Sequence, residues 1–188
     1  MSATDGQDSQ GEDTMRWTGI LAAAALATGG LASTAQAQGS ETIEVFTRAD
    51  LERALTNLNA TFEPQEEYRN LDITFEGSIL ADALLLACED EETEKNCYGT
   101  SILATFENPE GATRETILEA VNTYNYNENF GRAYIDSEGT ISVRFYIISD
   151  GGITRQNYET QIGLWTSSLN NFFGYLYPEA ETEAATDS

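Results

Sequence analysis

The sequence predicts an α+β domain, an antiparallel sheet covered by helices, in the order α-β-β-β-α-β-β-α. Three patterns carry that expectation. Leu71, Ile73 and Phe75 alternate with Asn70, Asp72, Thr74 and Glu76, the period-two signature of a strand with one wet face. Tyr158, Ile162, Trp165, Leu169, Phe172 and Leu176 recur at steps of four and three, the stripe of a long amphipathic helix. Cys88 and Cys97 bracket a polar segment between two apolar runs, the outline of a hairpin.

Each element follows in chain order. Thr47-Arg48-Ala49-Asp50 reads as a capping box, and Leu51, Leu55 and Leu58 continue at helical spacing. Pro64 is expected to end that first helix. After the strand at 70–76, Gly77-Ser78 turns the chain into the first cysteine strand, which contains Leu84-Leu85-Leu86. Its partner runs from about Cys97 to Glu107 and stops at Asn108-Pro109-Glu110-Gly111, a strong breaker. Thr113 caps a second helix with Ile117, Val121 and Tyr124 on one face. A second hairpin enters at Ala133-Tyr134-Ile135 and turns at Asp136-Ser137-Glu138-Gly139, where the glycine supplies positive φ. It returns through Ile141, Val143, Phe145 and Ile147 and closes at Gly151-Gly152. Thr154 caps the last helix and Pro178 ends it.

The N-terminus reads as an export signal. Met15-Arg16, an apolar run from Trp17 to Ala27, a Gly29-Gly30 break and Ala35-Gln36-Ala37 follow the order of n-region, h-region and A-x-A cleavage site. The run is shorter than the ~20 residues a bilayer span needs. Met15 is therefore expected to be the true initiator, with 1–14 untranslated, 15–37 a signal peptide and cleavage between Ala37 and Gln38. One domain then covers 38–178, and 179–188 is an acidic tail with too little apolar surface to order itself. The expected location is the periplasm or the exterior of a bacterium.

Export makes the cysteines interpretable. Facing residues of an antiparallel pair stand close enough to be bridged, so Cys88 and Cys97 are expected to form a disulfide across the hairpin. The spacing is far from C-x-x-C, and two thiols without histidine do not complete a zinc site. The segment Glu89–Asn96 lacks calcium-loop spacing and reads as a solvated loop tip.

Charge and composition exclude several functions. The 188 residues contain nine basic and 32 acidic side chains, a formal charge of −23. Nucleic acid and anionic membrane surfaces are poor partners for such a chain, since both are bound through Lys and Arg. There is no histidine, which removes Ser-His-Asp and Cys-His catalysis. A Ser-Lys dyad would have to use Lys95, the only lysine. No phosphate-binding glycine motif occurs. The expectation is a protein that is not an enzyme and uses no cofactor or metal, with a carboxylate-based hydrolase as the residual alternative.

The segment Asn122–Asp136, NTYNYNENFGRAYID, is the densest in polar amides and aromatic rings. Its asparagines suit a helix end, where left-handed backbone is needed. Tyr124 and Tyr134 are expected to reach the core from either side, and Arg132 to meet a carboxylate across the sheet. The same cluster, Asn122, Tyr124, Asn125, Arg132 and Tyr134, also suits the lining of a polar ligand pocket.

The succession Cys88…Cys97, an apolar strand, a helix, Asn122-Thr123-Tyr124-Asn125, then Phe130-Gly131-Arg132-Ala133-Tyr134-Ile135-Asp136 and the Trp165 helix resembles the YbjN family. The resemblance covers roughly residues 43–176. It departs from the family motif where Tyr124 stands in place of a frequent Trp. It implies a sensory-transduction regulator with a fold similar to type III secretion chaperones, and no catalytic residue carries over. The expected function is a periplasmic protein-binding module, chaperone-like or regulatory. A protein partner and a possible homodimer are expected, and the alternative is a small-ligand sensor.

Overall fold

A computed structural model of the chain describes residues 41–178. The expectations for 1–14, for the 15–37 leader with its Ala37–Gln38 cleavage site, and for the 179–188 tail lie outside the described residues. The elements are β1 (Thr42–Ile43), α1 (Arg48–Asn57), β2 (Thr61–Pro64), β3 (Leu71–Phe75), β4 (Ile79–Asp90), β5 (Lys95–Phe106), α2 (Arg114–Asn127), β6 (Arg132–Ile135), β7 (Ile141–Ile148), β8 (Ile153–Thr154) and α3 (Arg155–Leu176). The expected order survives, with three short strands added to it: β1, β2 and β8. Six strands form one antiparallel sheet in the order β2-β3-β4-β5-β7-β6, while β1 pairs separately with β8.

Local chemistry sets the helix starts. The Thr47 side chain accepts from the Asp50 N–H, and the Asp50 carboxylate accepts from the Thr47 N–H at 3.1 Å, a complete capping box. Thr113 and Thr116 make the equivalent exchange at α2, and Thr154 accepts from Asn157 at α3. Pro64 does not end α1. The helix stops at Asn57, and Asn59 turns the chain with φ 56°. Pro64 instead closes β2, an edge strand, where a missing N–H disturbs no ladder.

The core lies between one face of the sheet and the helices. Leu71, Ile73 and Phe75 of β3, Ala83 and Leu85 of β4, and Ile102 and Ala104 of β5 are buried beneath the α3 stripe. All six stripe residues of α3 are buried, as their spacing predicts. Phe75 meets Trp165 edge-on at 6.2 Å, Phe106 meets Phe172 at 4.9 Å, and Tyr158 stacks on Phe46 at 4.5 Å. The Tyr158 hydroxyl shares a 2.9 Å hydrogen bond with the buried Thr100 hydroxyl, which satisfies both inside an apolar core. Arg155 is buried at the head of α3, where it bonds Glu41 at 3.1 Å and Asp50 at 3.0 Å. It therefore ties α3 to the capping box of α1.

Cys88 and Cys97 face each other across β4 and β5 and are joined, with Cα atoms 3.7 Å apart. Ala87 and Asn96, at φ 52° and 51°, twist the ladder beside them. Replacing both cysteines by alanine should cost about 2–3 kcal/mol, the loop entropy released to the unfolded chain. Urea unfolding with and without reductant would read this, and reductant should leave the double variant unmoved.

The segment between the cysteines is not a free loop tip. Pairing continues to Asp90↔Lys95, and Arg48 holds Glu94 through two bonds of 2.5 and 2.7 Å. Arg69 holds Glu91 by side-chain and backbone contacts. These two arginines fasten the hairpin end to the body of the domain, and that contact is invisible to local spacing.

Candidate functional site

Two regions bear on function, the 122–136 junction and the sheet face opposite the helices. Helix α2 continues through Asn127, so Asn122, Asn125 and Asn127 are helical rather than left-handed, and Gly131 takes the positive φ at 117°. Helix propensity was overridden here by packing. Tyr124 is fully buried, edge-on to Phe172 at 5.2 Å. Its hydroxyl, the Ser168 hydroxyl and the Phe130 carbonyl oxygen form a closed triangle with sides of 2.6 to 2.8 Å.

Asn125 has a different task. Its amide donates to the Ala133 carbonyl at 3.0 Å, and its Oδ1 accepts from the Ala133 N–H at 2.9 Å. β6 is the last strand of the sheet, so this amide occupies an edge that would otherwise present unpaired backbone.

The other candidates lie apart from these two. Asn122 is exposed on α2. Arg132 and Tyr134 alternate with the buried Ala133 and so belong to the opposite side of the sheet. Tyr134 therefore does not enter the core, and Arg132 meets no carboxylate among the described residues. It lies over the Tyr134 ring at 5.6 Å, and Arg144 approaches the same ring at 5.5 Å. Among the described residues these five are not brought to one cavity: Asn122 lines a shallow groove on α2 with Arg114 and Glu119, and the other four lie elsewhere. A cleft of about 640 Å³ between loop 109–112, the first half of α2 and the end of α3 is lined by none of them.

Burial pushes the Tyr124 hydroxyl up to about 12, although its bond to Ser168 opposes the shift. Burial raises Tyr158 in the same direction. In the unfolded chain a tyrosine ionises near pH ~10. Between that value and about 12 the unfolded state therefore loses its proton while the native state keeps it. Stability from Tyr124 is intact below the unfolded value and is lost as pH rises through this window, on the order of 2 kcal/mol. A Tyr124→Phe variant should show a shallower alkaline loss in urea unfolding at a series of pH values. An identical slope would remove Tyr124 as its source.

The face opposite the helices is the feature that sequence reading missed. Along β4, Leu80, Asp82, Leu84 and Leu86 alternate with the core residues. Along β7, Ser142, Arg144, Tyr146 and Ile148 do the same. No described helix packs on them, and Leu80, Tyr146 and Ile148 remain 68%, 46% and 58% exposed. Arg144 bonds the Tyr146 hydroxyl at 3.1 Å. Across the sheet, burial raises Asp82 from its ordinary value while the Asn70 amide, at 2.7 Å, and Arg144 act against it. The available signal was the alternation on β7, where Ser142, Arg144 and Tyr146 occupy one phase and Ile141, Val143, Phe145 and Ile147 the other.

No curated protein sequence matches the chain. Among solved structures, it is similar to one described as "Crystal structure of YbjN, a putative transcription regulator from E. coli". That match has 12% identity and a TM-score of 0.57, and covers 76% of this chain and 96% of the other. A weaker likeness, to a structure described as the HopA1-SchA chaperone-effector complex, has 8% identity and a TM-score of 0.44 over 68% of this chain and 90% of the other. The first likeness bears on the fold, and the order of helices and antiparallel strands accords with it. The family model YbjN, described as "Putative bacterial sensory transduction regulator", matches residues 47–177, well over half of the sequence. The chain belongs to the YbjN family.

Proposed function

We propose that the chain is an exported, non-catalytic protein-binding module of the regulatory or chaperone-like kind, and that it binds through the uncovered face of its six-stranded sheet. The observation that carries this reading is the exposure of Leu80, Tyr146 and Ile148 on the same open face as the half-buried Leu84, Leu86 and Leu103. Exposed apolar side chains on both sides of a charged row suit a macromolecular contact more than solvent. The export part rests on the leader pattern and on the Cys88–Cys97 bridge, since disulfides persist in oxidising compartments. The absence of histidine and the dispersal of the polar cluster favour binding over catalysis.

Two experiments test it. The intact mass of the protein from the periplasmic fraction should correspond to a start at Gln38 with the two thiols joined. A mass that includes residues 15–37 in the cytoplasm would end the export reading. For the face, Leu80→Asp and Ile148→Asp sit at exposed positions and should leave the thermal midpoint nearly unchanged. Both should abolish protein association, whether with a second copy or with a foreign chain. Association that persists in both variants, or none in the wild type, would remove the face as a binding surface.

A further inference from the structure

The registers of the sheet align five open-face residues in a single row. Asp72 pairs with Asp82, Asp82 with Leu103, Leu103 with Arg144, and Arg144 with Arg132. The row thus has two carboxylates at one end, two guanidinium groups at the other, and a leucine of β5 between them. Like charges directly opposite each other on neighbouring strands are unfavourable, and both ends of the row have them. Neither arginine has an ion pair among the described residues, unlike Arg48, Arg69 and Arg155. The Arg144 Nε is buried with no hydrogen-bond partner there. Two further rows flank this one, Leu84–Ser101–Tyr146 and Leu86–Gly99–Ile148.

Resting on the reading of this face as a protein-binding surface, we infer that its occupant is a second copy of the chain, sheet against sheet, about a two-fold axis running along β5. The strand order β3-β4-β5-β7-β6 is centred on β5, so such an axis exchanges β4 with β7 and β3 with β6. Asp82 then meets Arg144 of the second copy, Asp72 meets its Arg132, and Leu103 meets its own equivalent on the axis. Leu84 lies against Tyr146 of the second copy and Leu86 against its Ile148. Each contact off the axis is made twice, as an isologous interface requires.

Charge complementarity selects this occupant over others. An acidic foreign segment would suit the arginines and be repelled by the aspartates, and a basic one would do the reverse. A second copy satisfies both ends of the row at once, with its Asp82 carboxylate facing the Arg144 guanidinium. With four open-face positions on each of β4, β5 and β7 and two on each of β3 and β6, spaced ~4.8 by ~6.6 Å, the face projects over roughly 500 Å², and side-chain relief raises its accessible area above that. Its accessible area approaches the ~800 Å² per partner of a standard stable interface. The formal charge of −23 opposes association at long range. At physiological salt the Debye length is about 8 Å, so distant acids are screened while the facing pairs are not.

The test is a charge exchange read by light scattering on the purified chain at micromolar concentration. The wild type should have twice the chain mass. Arg144→Asp and Asp82→Arg should each be monomeric, with the dissociation constant raised about 100-fold or more. An equimolar mixture of these two variants should regain the dimer mass, because one copy then presents two arginines where the other presents two aspartates. That recovery also shows that both variants are folded. A monomeric wild type, or a dimer that neither substitution disturbs, would overturn the inference. A monomeric wild type that still captures a foreign chain through Leu80 and Ile148 would leave the protein-binding reading standing. A monomer with no capture dependent on that face would remove both.

Discussion

Gly131→Ala should destabilise the domain by about 3–5 kcal/mol, the sum of backbone strain and overpacking at one position. Gly131 has φ 117°, in a region that side chains rarely adopt. A Cβ there would stand 2.6 Å from the Tyr124 hydroxyl oxygen, 3.1 Å from Trp165 Cδ1 and 3.1 Å from Val143 Cγ1. None of those neighbours is the free end of a flexible chain. Tyr124 is held by Ser168 and Phe130, Trp165 is fully buried, and Val143 lies in the sheet. Gly139 is the matched control, with φ 92° and nothing within 4 Å of an added Cβ. Gly139→Ala should therefore show only the conformational part, about 1–2 kcal/mol. Equal losses for the two variants in urea unfolding would mean that the crowding around Gly131 contributes nothing.

Trp165→Ala should cost about 3–5 kcal/mol, because the cavity left at the centre of the α3 stripe cannot collapse against a sheet. Trp165 is among the largest fully buried side chains and meets Phe75 from one side and the Gly131 backbone region from the other. Its indole N–H has no hydrogen-bond partner among the described residues. Trp165→Phe should therefore cost far less, about 1.5 kcal/mol or below, since the lost volume is offset by removal of an unsatisfied donor. A Phe variant as unstable as the Ala variant would show that the indole itself, and not its bulk, anchors the helix.

These two positions also show how legible the fold was. Trp165 was assigned to the core from helical spacing alone, because a stripe at steps of four and three has few alternatives to packing on a sheet. β3, the Gly139 turn, the three N-caps and the cysteine hairpin followed from equally local rules. The sequence motif contains Gly131 but does not show that three side chains close in on it. The same limit applies to Arg48 and Arg69, whose partners lie in the hairpin end far along the chain. β2 was missed because Pro64 carries a helix-ending signal as readily as an edge-strand one.

The candidate site was less legible than the fold. The cluster at Asn122, Tyr124, Asn125, Arg132 and Tyr134 is adjacent in sequence, and adjacency suggested a shared pocket. In the folded chain a helix and a strand divide it. Tyr124 enters the core, Asn125 seals the edge of β6, and Arg132 and Tyr134 face the other way, beside Arg144 and Tyr146. A strand sends neighbouring residues to opposite faces, so Ala133 is buried while Arg132 and Tyr134 lie on the open side.

By itself the sequence determined the helices, the main strands, the hairpin that the disulfide closes and the family, because periodicity, caps, turns and a long motif are encoded within short windows. Only the tertiary structure decided which face of the sheet the helices cover. It also decided that Asp72, Asp82, Leu103, Arg144 and Arg132 stand in one row. Those residues come from five strands spread over more than sixty positions, and strand register brings them together. Register is fixed by which hydrophobic face is buried, a property of the whole sheet rather than of any window along the chain.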